Sequence, residues 1–221
     1  MQSLRIVLAD DHQIVVEALA SLLRESFNLV TTVRNGRALV EEVLRATPDV
    51  AVSDIFMPML NGLDALRHLR SSGNRTKVIF LTMHTDVTLA VEAFQAGASG
   101  FVSKESSGEE LIHAIDEAVH DRLYVTPLVG KDLLNILMEA RSNVSAFDLL
   151  PSSRKREVLQ LLAEGKTLKE VGAILGISPR TAETHKYKMM EALGVKTTPD
   201  LIRWALRLKL IPPQEIHGDE T

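Results

Sequence analysis

The sequence predicts an α/β protein with a doubly wound, five-stranded parallel sheet, followed by a small all-α domain. Three observations lead to this prediction. Short apolar runs alternate with helical patterns over residues 4–121. Several of the runs are continuously apolar, which is typical of strands buried on both faces of a parallel sheet. After residue 150, the chain contains helix signals only.

Five apolar runs predict the strands, and each intervening segment places its apolar residues on one helical face. The predicted strands are Leu4 to Ala9, Leu29 to Val33, Val50 to Ser53, Val78 to Thr82 and Gly100 to Val102. The predicted faces are Val15, Leu19, Leu22 and Leu23; Leu39, Val43 and Ala46; Leu63, Leu66 and Leu69; Val87, Ala90, Val91 and Phe94; and Leu111, Ile112, Ile115, Ala118 and Val119. A Ser107–Glu110 capping box opens the last helix. Sheets of this kind bind ligands at the carboxyl ends of their strands.

Charge divides the chain into two parts. Residues 1–150 hold 13 Lys/Arg and 20 Asp/Glu, a net charge of −7, whereas residues 151–212 hold 12 and 6, a net charge of +6. Residues 213–221 add −3 as an acidic tail. The small basic part is therefore the one expected to bind a polyanion.

Composition excludes several classes of site. The absence of cysteine excludes disulfides, thiol catalysis and cysteine-based zinc sites. One Trp and two Tyr disfavour an aromatic-lined groove for carbohydrate or single-stranded nucleic acid. No run approaches 18 apolar residues and no signal-like segment opens the chain, so we expect a cytoplasmic protein with no membrane partner.

Four of the predicted strands end in a polar side chain or are closely followed by one. Asp10 and Asp11 end the first strand, Asp54 the third and Thr82 the fourth, and Lys104 follows the fifth. Carboxylates gathered at one edge repel one another unless a cation lies between them, and oxygen ligands of this kind suit Mg²⁺, with Mn²⁺ as a possible substitute. Asp54 can then attack phosphorus, with Lys104 screening the charge and Thr82 donating a hydrogen bond to the new phosphoryl group.

These residues carry a resemblance to a known family. Leu8-Ala9-Asp10-Asp11-His12, Asp54-x-x-Met57-Pro58-x-x-x-Gly62, Thr82 and Phe101-x-x-Lys104 resemble the receiver domain of bacterial response regulators. The resemblance implies a flavodoxin-like strand order of 2-1-3-4-5 and phosphorylation of Asp54 by a sensor histidine kinase. It also implies that Asp11, Asp54 and the backbone carbonyl of Phe56 bind Mg²⁺, with Asp10 acting through water.

The resemblance further implies a switch in which Thr82 and Phe101 move together when the phosphoryl group arrives. This chain has Phe101 where many relatives carry tyrosine. His12 lies beside the acids, but its place at the start of the first helix predicts a capping or surface residue. His84 and His113 show no ligand spacing, and we assign no function to any of the three.

The chain divides into a receiver at residues 1–122, a linker at 123–150, a basic domain at 151–212 and the tail at 213–221. Leu133, Leu134, Ile136, Leu137 and Ala140 predict one helix in the linker. In the basic domain, a first helix ends near Gly165. A second opens with a Thr167–Glu170 capping box, and a third runs from Pro179 to about Leu193. The second and third form a helix-turn-helix.

The third helix is predicted to be the recognition helix. If Ala182, Met189 and Leu193 form its buried stripe, Glu183, Thr184 and Tyr187 face outward and can reach base edges. Other residues are better placed for phosphates. They are Thr167, Lys169, Arg180, Thr181, Lys186 and Lys188.

A second resemblance covers residues 151–211. Arg156-Glu157-Val158-Leu159, Leu175-Gly176-Ile177-Ser178-x-Arg180-Thr181, His185 and Leu193-Gly194-Val195 look like the LuxR-type DNA-binding domain. A receiver followed by this domain is the layout of NarL/FixJ-type response regulators. The resemblance implies a transcription factor that binds double-stranded DNA and forms a homodimer on phosphorylation.

Two other functions share parts of this pattern. A phosphatase with an aspartyl intermediate resembling haloacid dehalogenases would carry a second Asp at the position of Phe56, so we expect no enzyme beyond the chain's own phosphoryl transfer and autodephosphorylation. The other alternative is a DNA-binding regulator whose receiver acts as a phosphorylation-independent dimerisation module. The full set of receiver residues disfavours it.

Overall fold

The computed structural model describes residues 4–131, 133 and 153–213. The chain separates into two compact units, Met1–Asn143 and Val144–Thr221. Residues 127–131 and 133 are helical. The other predicted residues of the linker helix lie outside the described residues, as does the acidic tail beyond Pro213. The predicted domain boundaries at residues 122, 150 and 212 stay predictions.

A six-stranded parallel sheet forms the centre of the first unit. Its strands are β1 Arg5–Ala9, β2 Asn28–Val33, β3 Val50–Ser53, β4 Lys77–Thr82, β5 Gly100–Ser103 and β6 Tyr124–Val125. The order is β2-β1-β3-β4-β5-β6, and every neighbouring pair is parallel. The predicted fold class and strand order are therefore confirmed, with one strand more than predicted.

The additional strand, β6, lies in the segment that the sequence analysis assigned to the linker. Tyr124 pairs with Gly100 and Val125 with Phe101. Two residues are too few to show the alternation that identifies a strand in a sequence. Pairing with β5 makes this short segment the edge of the sheet.

Five helices cover the two faces of the sheet. They are α1 Gln13–Ser26, α2 Gly36–Ala46, α3 Gly62–Ser71, α4 Val87–Gln95 and α5 Gly108–Val119. Helices α2, α3 and α4 contribute Leu39, Leu66 and Leu89 to one apolar cluster. Helices α1 and α5 contribute Leu23 and Ile115 to the cluster on the other face. This is the doubly wound arrangement, with strands buried on both sides.

The predicted face of α4 was partly wrong. Val87, Val91 and Phe94 are only half-buried, although Val87 and Phe94 pack against the apolar cluster of this face. The buried residues of the helix are Leu89, Ala90, Glu92 and Ala93. Val91 and Phe94 also line an apolar cavity beside β6 and the helical segment that follows it.

Four helices form the described part of the second unit: α6 Ser153–Ala163, α7 Leu168–Leu175, α8 Pro179–Ala192 and α9 Thr198–Arg207. The predicted capping box of Thr167 and Glu170 is present at the start of α7. Gly176 ends α7 with a φ of 64°, a left-handed conformation that glycine adopts without strain. Ser178 then caps α8, so α7 and α8 form the predicted helix-turn-helix.

Helix α9 was not predicted, although Thr197 accepts a hydrogen bond from the Asp200 backbone N–H at its start. It contributes Leu201 and Ala205 to the core of the second unit, where they join Val158 of α6 and Met189 of α8. Within the described ranges, every helix is too short or too polar to cross a membrane.

Candidate functional site

Two buried carboxylates and one lysine meet at the carboxyl edge of the sheet. Asp10 and Asp54 directly follow β1 and β3 and are 1% and 6% exposed. The Asp54 N–H donates to the carbonyl of Ala9, so the hydrogen bonds between these strands continue to the site. Lys104 follows β5 and places its Nζ 2.6 Å from Asp10 Oδ2 and 2.6 Å from Asp54 Oδ2. These three predicted site residues are therefore in direct contact.

Asp54 is held by a hydrogen bond to each of its oxygens. Its Oδ1 accepts the Ile55 backbone N–H at 2.6 Å, while its Oδ2 accepts from Lys104. Burial raises the pKa of Asp54, and the positive charge of Lys104 works against this increase. Burial also acts to lower the pKa of Lys104, but attraction by Asp54 and hydrogen bonds to both acids hold it above its ordinary value. The charged form of Asp54 and the charged form of Lys104 thus stabilise each other.

Asp11 and His12 complete an acidic cluster. His12 Nδ1 lies 2.9 Å from Asp11 Oδ1 and 3.2 Å from Asp10 Oδ1, and the His12 backbone N–H donates to the same Asp10 oxygen at 2.9 Å. One potential ligand atom from each of Asp10, Asp11, His12 and Asp54 lies within 4.8 Å of all the others. His12 was predicted to be a capping or surface residue, and it is the N-cap of α1, where its exposed ring forms no capping hydrogen bond and contacts the acids instead.

The donor set of this cluster fits a divalent cation. Three of its four members are carboxylates, which are the ligands that Mg²⁺ and Mn²⁺ prefer. Phe56, whose carbonyl is the fourth predicted ligand, lies in the loop between β3 and α3. The cluster could therefore bind a metal ion at the edge of the sheet.

The loop after β4 is connected to the same site. Thr82 is fully buried, its Oγ1 accepts the His84 backbone N–H at 3.1 Å, and its carbonyl accepts the Lys104 N–H at 2.9 Å. The His84 ring packs edge-to-face against Phe56, with ring centroids 5.0 Å apart. Phe101, the predicted partner of Thr82 in the switch, is fully buried in β5. The loops after β3, β4 and β5 thus contact one another through side chains and backbone.

A second candidate site lies on helix α8. Ala182 and Met189 are fully buried, as predicted for the inner stripe, whereas Leu193 is half-buried. The predicted base-reading residues are all exposed, with Tyr187 at 59%. They are Glu183, Thr184 and Tyr187. Of the predicted phosphate contacts, Lys186 alone is half-buried rather than exposed.

Three threonines of this surface already form local hydrogen bonds. The Thr184 hydroxyl donates to the Arg180 carbonyl at 2.9 Å. The Thr181 hydroxyl lies 2.8 Å from that of Ser178, and Thr167 belongs to the capping box. By contrast, three exposed cations have no hydrogen-bond or ion-pair partner among the described residues. They are Lys169, Arg180 and Lys188.

His185 lies on the inner side of α8. Its Nδ1 is buried and has no hydrogen-bond partner in the part of the chain that the structure describes. Burial lowers the pKa of His185, as do the positive charges of Arg154, Lys188 and Lys155. The ring is thus favoured in its neutral form beside a positively charged surface.

Both units match models of known protein families. Residues 6–116 match the response regulator receiver domain, and residues 151–205 match the LuxR family of bacterial regulatory proteins. The family of this chain is one of DNA-binding response regulators rather than of classical enzymes.

Relatives match most of the chain or a part of it. The oxygen regulatory protein NreC of Staphylococcus carnosus is 32% identical over 216 residues, which cover 94% of this chain and 99% of that protein. A LuxR-family response regulator from Aurantimonas is 31% identical, with a TM-score of 0.59, over 62% of this chain and 99% of the other. The response regulator ChrA of a heme-sensing two-component system is 29% identical, with a TM-score of 0.51, over 96% of this chain and 100% of the other. The chain therefore belongs to the two-component response regulators that join a receiver domain to a LuxR-type DNA-binding domain, and it is a phosphorylation-controlled transcription factor.

Proposed function

We propose that Asp54 is the phosphoacceptor and that a sensor histidine kinase is the donor. A carboxylate oxygen of Asp54 attacks phosphorus, an O–P bond forms, and the P–N bond of the kinase phosphohistidine breaks, leaving its electron pair on the imidazole. Support comes from the burial of Asp54 and from its two hydrogen bonds, which orient both oxygens. Lys104 would transfer its hydrogen bond from the carboxylate to a phosphoryl oxygen and so balance the added charge.

The acidic cluster is proposed to hold Mg²⁺, with Mn²⁺ as a substitute. Asp11, Asp54 and the Phe56 carbonyl would bind it directly, and Asp10 through water. Bound there, the ion would neutralise charge on the phosphoryl oxygens. The carboxylates within 4.8 Å of one another support this assignment.

Thr82 and Phe101 are proposed to relay the change. The Thr82 hydroxyl would turn from the His84 N–H toward the phosphoryl group, and Phe101 would repack beside it. The fully buried state of both side chains supports coupled movement, because a close-packed core shifts between discrete arrangements. A homodimer would then form on DNA.

Helix α8 is proposed to enter the major groove. Glu183, Thr184 and Tyr187 would read bases, and six residues would contact phosphates. The six are Thr167, Lys169, Arg180, Thr181, Lys186 and Lys188. The proposal includes a cytoplasmic location, where DNA and the phosphorylating domain of a kinase meet, and it limits the chain's own chemistry to phosphoryl transfer and autodephosphorylation.

The decisive experiment replaces the phosphoacceptor. Asp54→Asn should abolish the phosphorylated band formed with Mg²⁺ and acetyl phosphate, because an amide oxygen is a poor nucleophile. The matched control, Asp116→Asn, changes an exposed carboxylate of α5 and should leave the band unchanged. An undiminished band in Asp54→Asn would contradict the assignment.

A further inference from the structure

A cluster of hydrogen-bonding side chains, of which Thr126 is buried and the others are half-buried, lies where β6 ends. We call it the Thr126 node, and it comprises Ser106, Glu110, Tyr124 and Thr126. Thr126 is 3% exposed, and its hydroxyl donates to Glu110 Oε1 at 2.6 Å. The Ser106 hydroxyl lies 3.3 Å from that of Thr126. Burial acts to raise the pKa of Glu110, but hydrogen bonding by Thr126, Ser106 and Tyr124 lowers it below its ordinary value.

This node departs from the capping box predicted at the start of α5. Ser107 does accept the Glu110 backbone N–H. The Glu110 side chain, however, turns to Thr126 rather than back to the helix start. The carboxylate therefore joins two separate chain segments instead of completing a local cap. This carboxylate is the nearer acceptor of the buried Thr126 hydroxyl, so the contact stabilises the packing of the two segments.

On one side, the node adjoins the turn that carries Lys104. The Glu105 N–H donates to Ser103 Oγ at 3.2 Å, and the Ser106 N–H donates to the Ser103 carbonyl at 3.1 Å. Lys104 and Ser106 thus belong to one tight turn.

On the other side, the node begins the segment that leads toward the DNA-binding unit. The Thr126 N–H donates to the Phe101 carbonyl at 2.9 Å, which ties it to β5. The Thr126 carbonyl accepts the N–H groups of Val129 and Gly130, at 3.0 and 3.1 Å, and so starts the helical turn at residues 127–131. One residue is therefore bonded both to the strand of Phe101 and to the outgoing helix.

We propose that the Thr126 node couples the phosphoacceptor site to the helical segment at residues 127–131, which lies in the predicted linker. When Lys104 leaves Asp10 and Asp54 for a phosphoryl oxygen, its turn shifts, Ser106 moves with it, and the Thr126–Glu110 contact changes how residues 127–131 pack. This inference rests on the proposed role of Asp54. The node residues act by position and take no part in the chemistry.

Hydrogen exchange of the full-length protein with Mg²⁺, with and without beryllofluoride, tests this coupling. In the wild type, beryllofluoride should slow exchange in residues 52–60 and change the exchange rate of residues 123–133 by about fivefold or more. Thr126→Val should retain the first response and lose the second. Thr126→Ser keeps the hydroxyl and should restore the second response, and Thr32→Val, on exposed β2 surface, should match the wild type.

The outcomes separate the two proposals. No response of residues 52–60 in the wild type would refute the role of Asp54, and this inference with it. A normal response of residues 52–60 combined with an unchanged exchange rate of residues 123–133 in the wild type would refute the coupling through the node but not the role of Asp54. The same conclusion would follow if residues 123–133 still responded in Thr126→Val. If Thr126→Val does not fold by circular dichroism, Glu110→Gln provides the same comparison, and Glu117→Gln, at the exposed Arg122 ion pair of the same helix, is its control.

Discussion

The two candidate sites handle charge in opposite ways. At the acidic cluster, the side chains of Asp10, Asp54 and Lys104 are at most 7% exposed and paired with one another. On α8, Arg180 and Lys188 are exposed and have no partner among the described residues. Buried charges require partners within the protein, whereas exposed charges remain hydrated and free to bind a ligand. Removing a lysine should therefore lower the stability of the first unit, whereas in the second unit it should weaken ligand binding.

The largest expected effect comes from removing a lysine in each unit. Lys104→Met leaves two carboxylates buried without their cation, so the free energy of unfolding of the first unit should fall by about 3 kcal/mol at neutral pH. Lys188→Met should change stability by less than about 0.5 kcal/mol. Mg²⁺ should recover part of the loss in Lys104→Met only.

Urea unfolding can be followed separately in the two units. Trp204 of α9 is the single tryptophan of the chain, so its fluorescence reports the second unit, whereas circular dichroism reports both. Lys104→Met should move the circular dichroism transition and leave the Trp204 transition in place. An unchanged circular dichroism transition would show that the ion pairs contribute nothing to stability.

A backbone contact in each unit gives the next effect. A Cβ on Gly36 would lie 2.1 Å from the Leu60 carbonyl oxygen, and one on Gly172 would lie 2.7 Å from that of Ile177. Gly36→Ala should therefore destabilise the first unit by about 3 kcal/mol. Gly172→Ala should cost the second unit about 1 kcal/mol, because its clash is milder and alanine favours the helix. Equal losses in the same urea experiment would contradict this ranking.

The exposed lysines should affect DNA binding through its salt dependence. Lys188→Ala should lower the slope of log K against log salt by about one unit, with little change in stability. Lys186 is half-buried, so its replacement should reduce the slope less. Fluorescence anisotropy with a labelled DNA duplex at several salt concentrations provides the slopes. A wild-type slope in Lys188→Ala would show that this lysine does not contact phosphate.

The smallest expected effect concerns Glu110 and pH. Burial acts to raise the pKa of Glu110, but hydrogen bonds from Thr126, Ser106 and Tyr124 outweigh it and hold the pKa below its ordinary value. The stabilisation is therefore complete above the unfolded-state pKa, roughly 4.3, and is lost as the pH falls through the folded-state pKa.

Wild type should thus exceed Glu110→Gln in stability at neutral pH, by less than about 1 kcal/mol given the partial exposure of this residue. The difference should shrink as the pH falls below roughly 4.3. A difference that stays constant from pH 7 to about pH 3 would show that the carboxylate charge has no part in the node.

Sequence patterns predicted the strands that end at an acidic residue and the helices that begin with a capping residue. Strands β1 and β3 are continuous apolar runs that stop at Asp10 and Asp54, so both the sheet and the meeting of these acids could be predicted. Capping residues around Thr167 and Ser178 similarly predicted the helix-turn-helix.

The features that sequence reasoning missed depend on tertiary contacts. Strand β6 is too short to show a period, and the half-buried state of Val91 on α4 depends on its tertiary surroundings. The Glu110 side chain matches a capping pattern in the sequence but accepts a hydrogen bond from Thr126, 16 residues further along the chain. His12 directly follows the acids, but only the distances show that its ring contacts both of them.

Lys104 already shares its ammonium group between two carboxylates in this structure. An arriving phosphoryl group would exchange one set of charge-assisted hydrogen bonds for another rather than add a new set. The phosphorylated and unphosphorylated states should then differ little in the energy of the contacts that Lys104 makes. The lifetime of the phosphorylated state would depend on how readily water reaches the acyl phosphate. The rate of hydrolysis would then determine how long the response to a stimulus lasts.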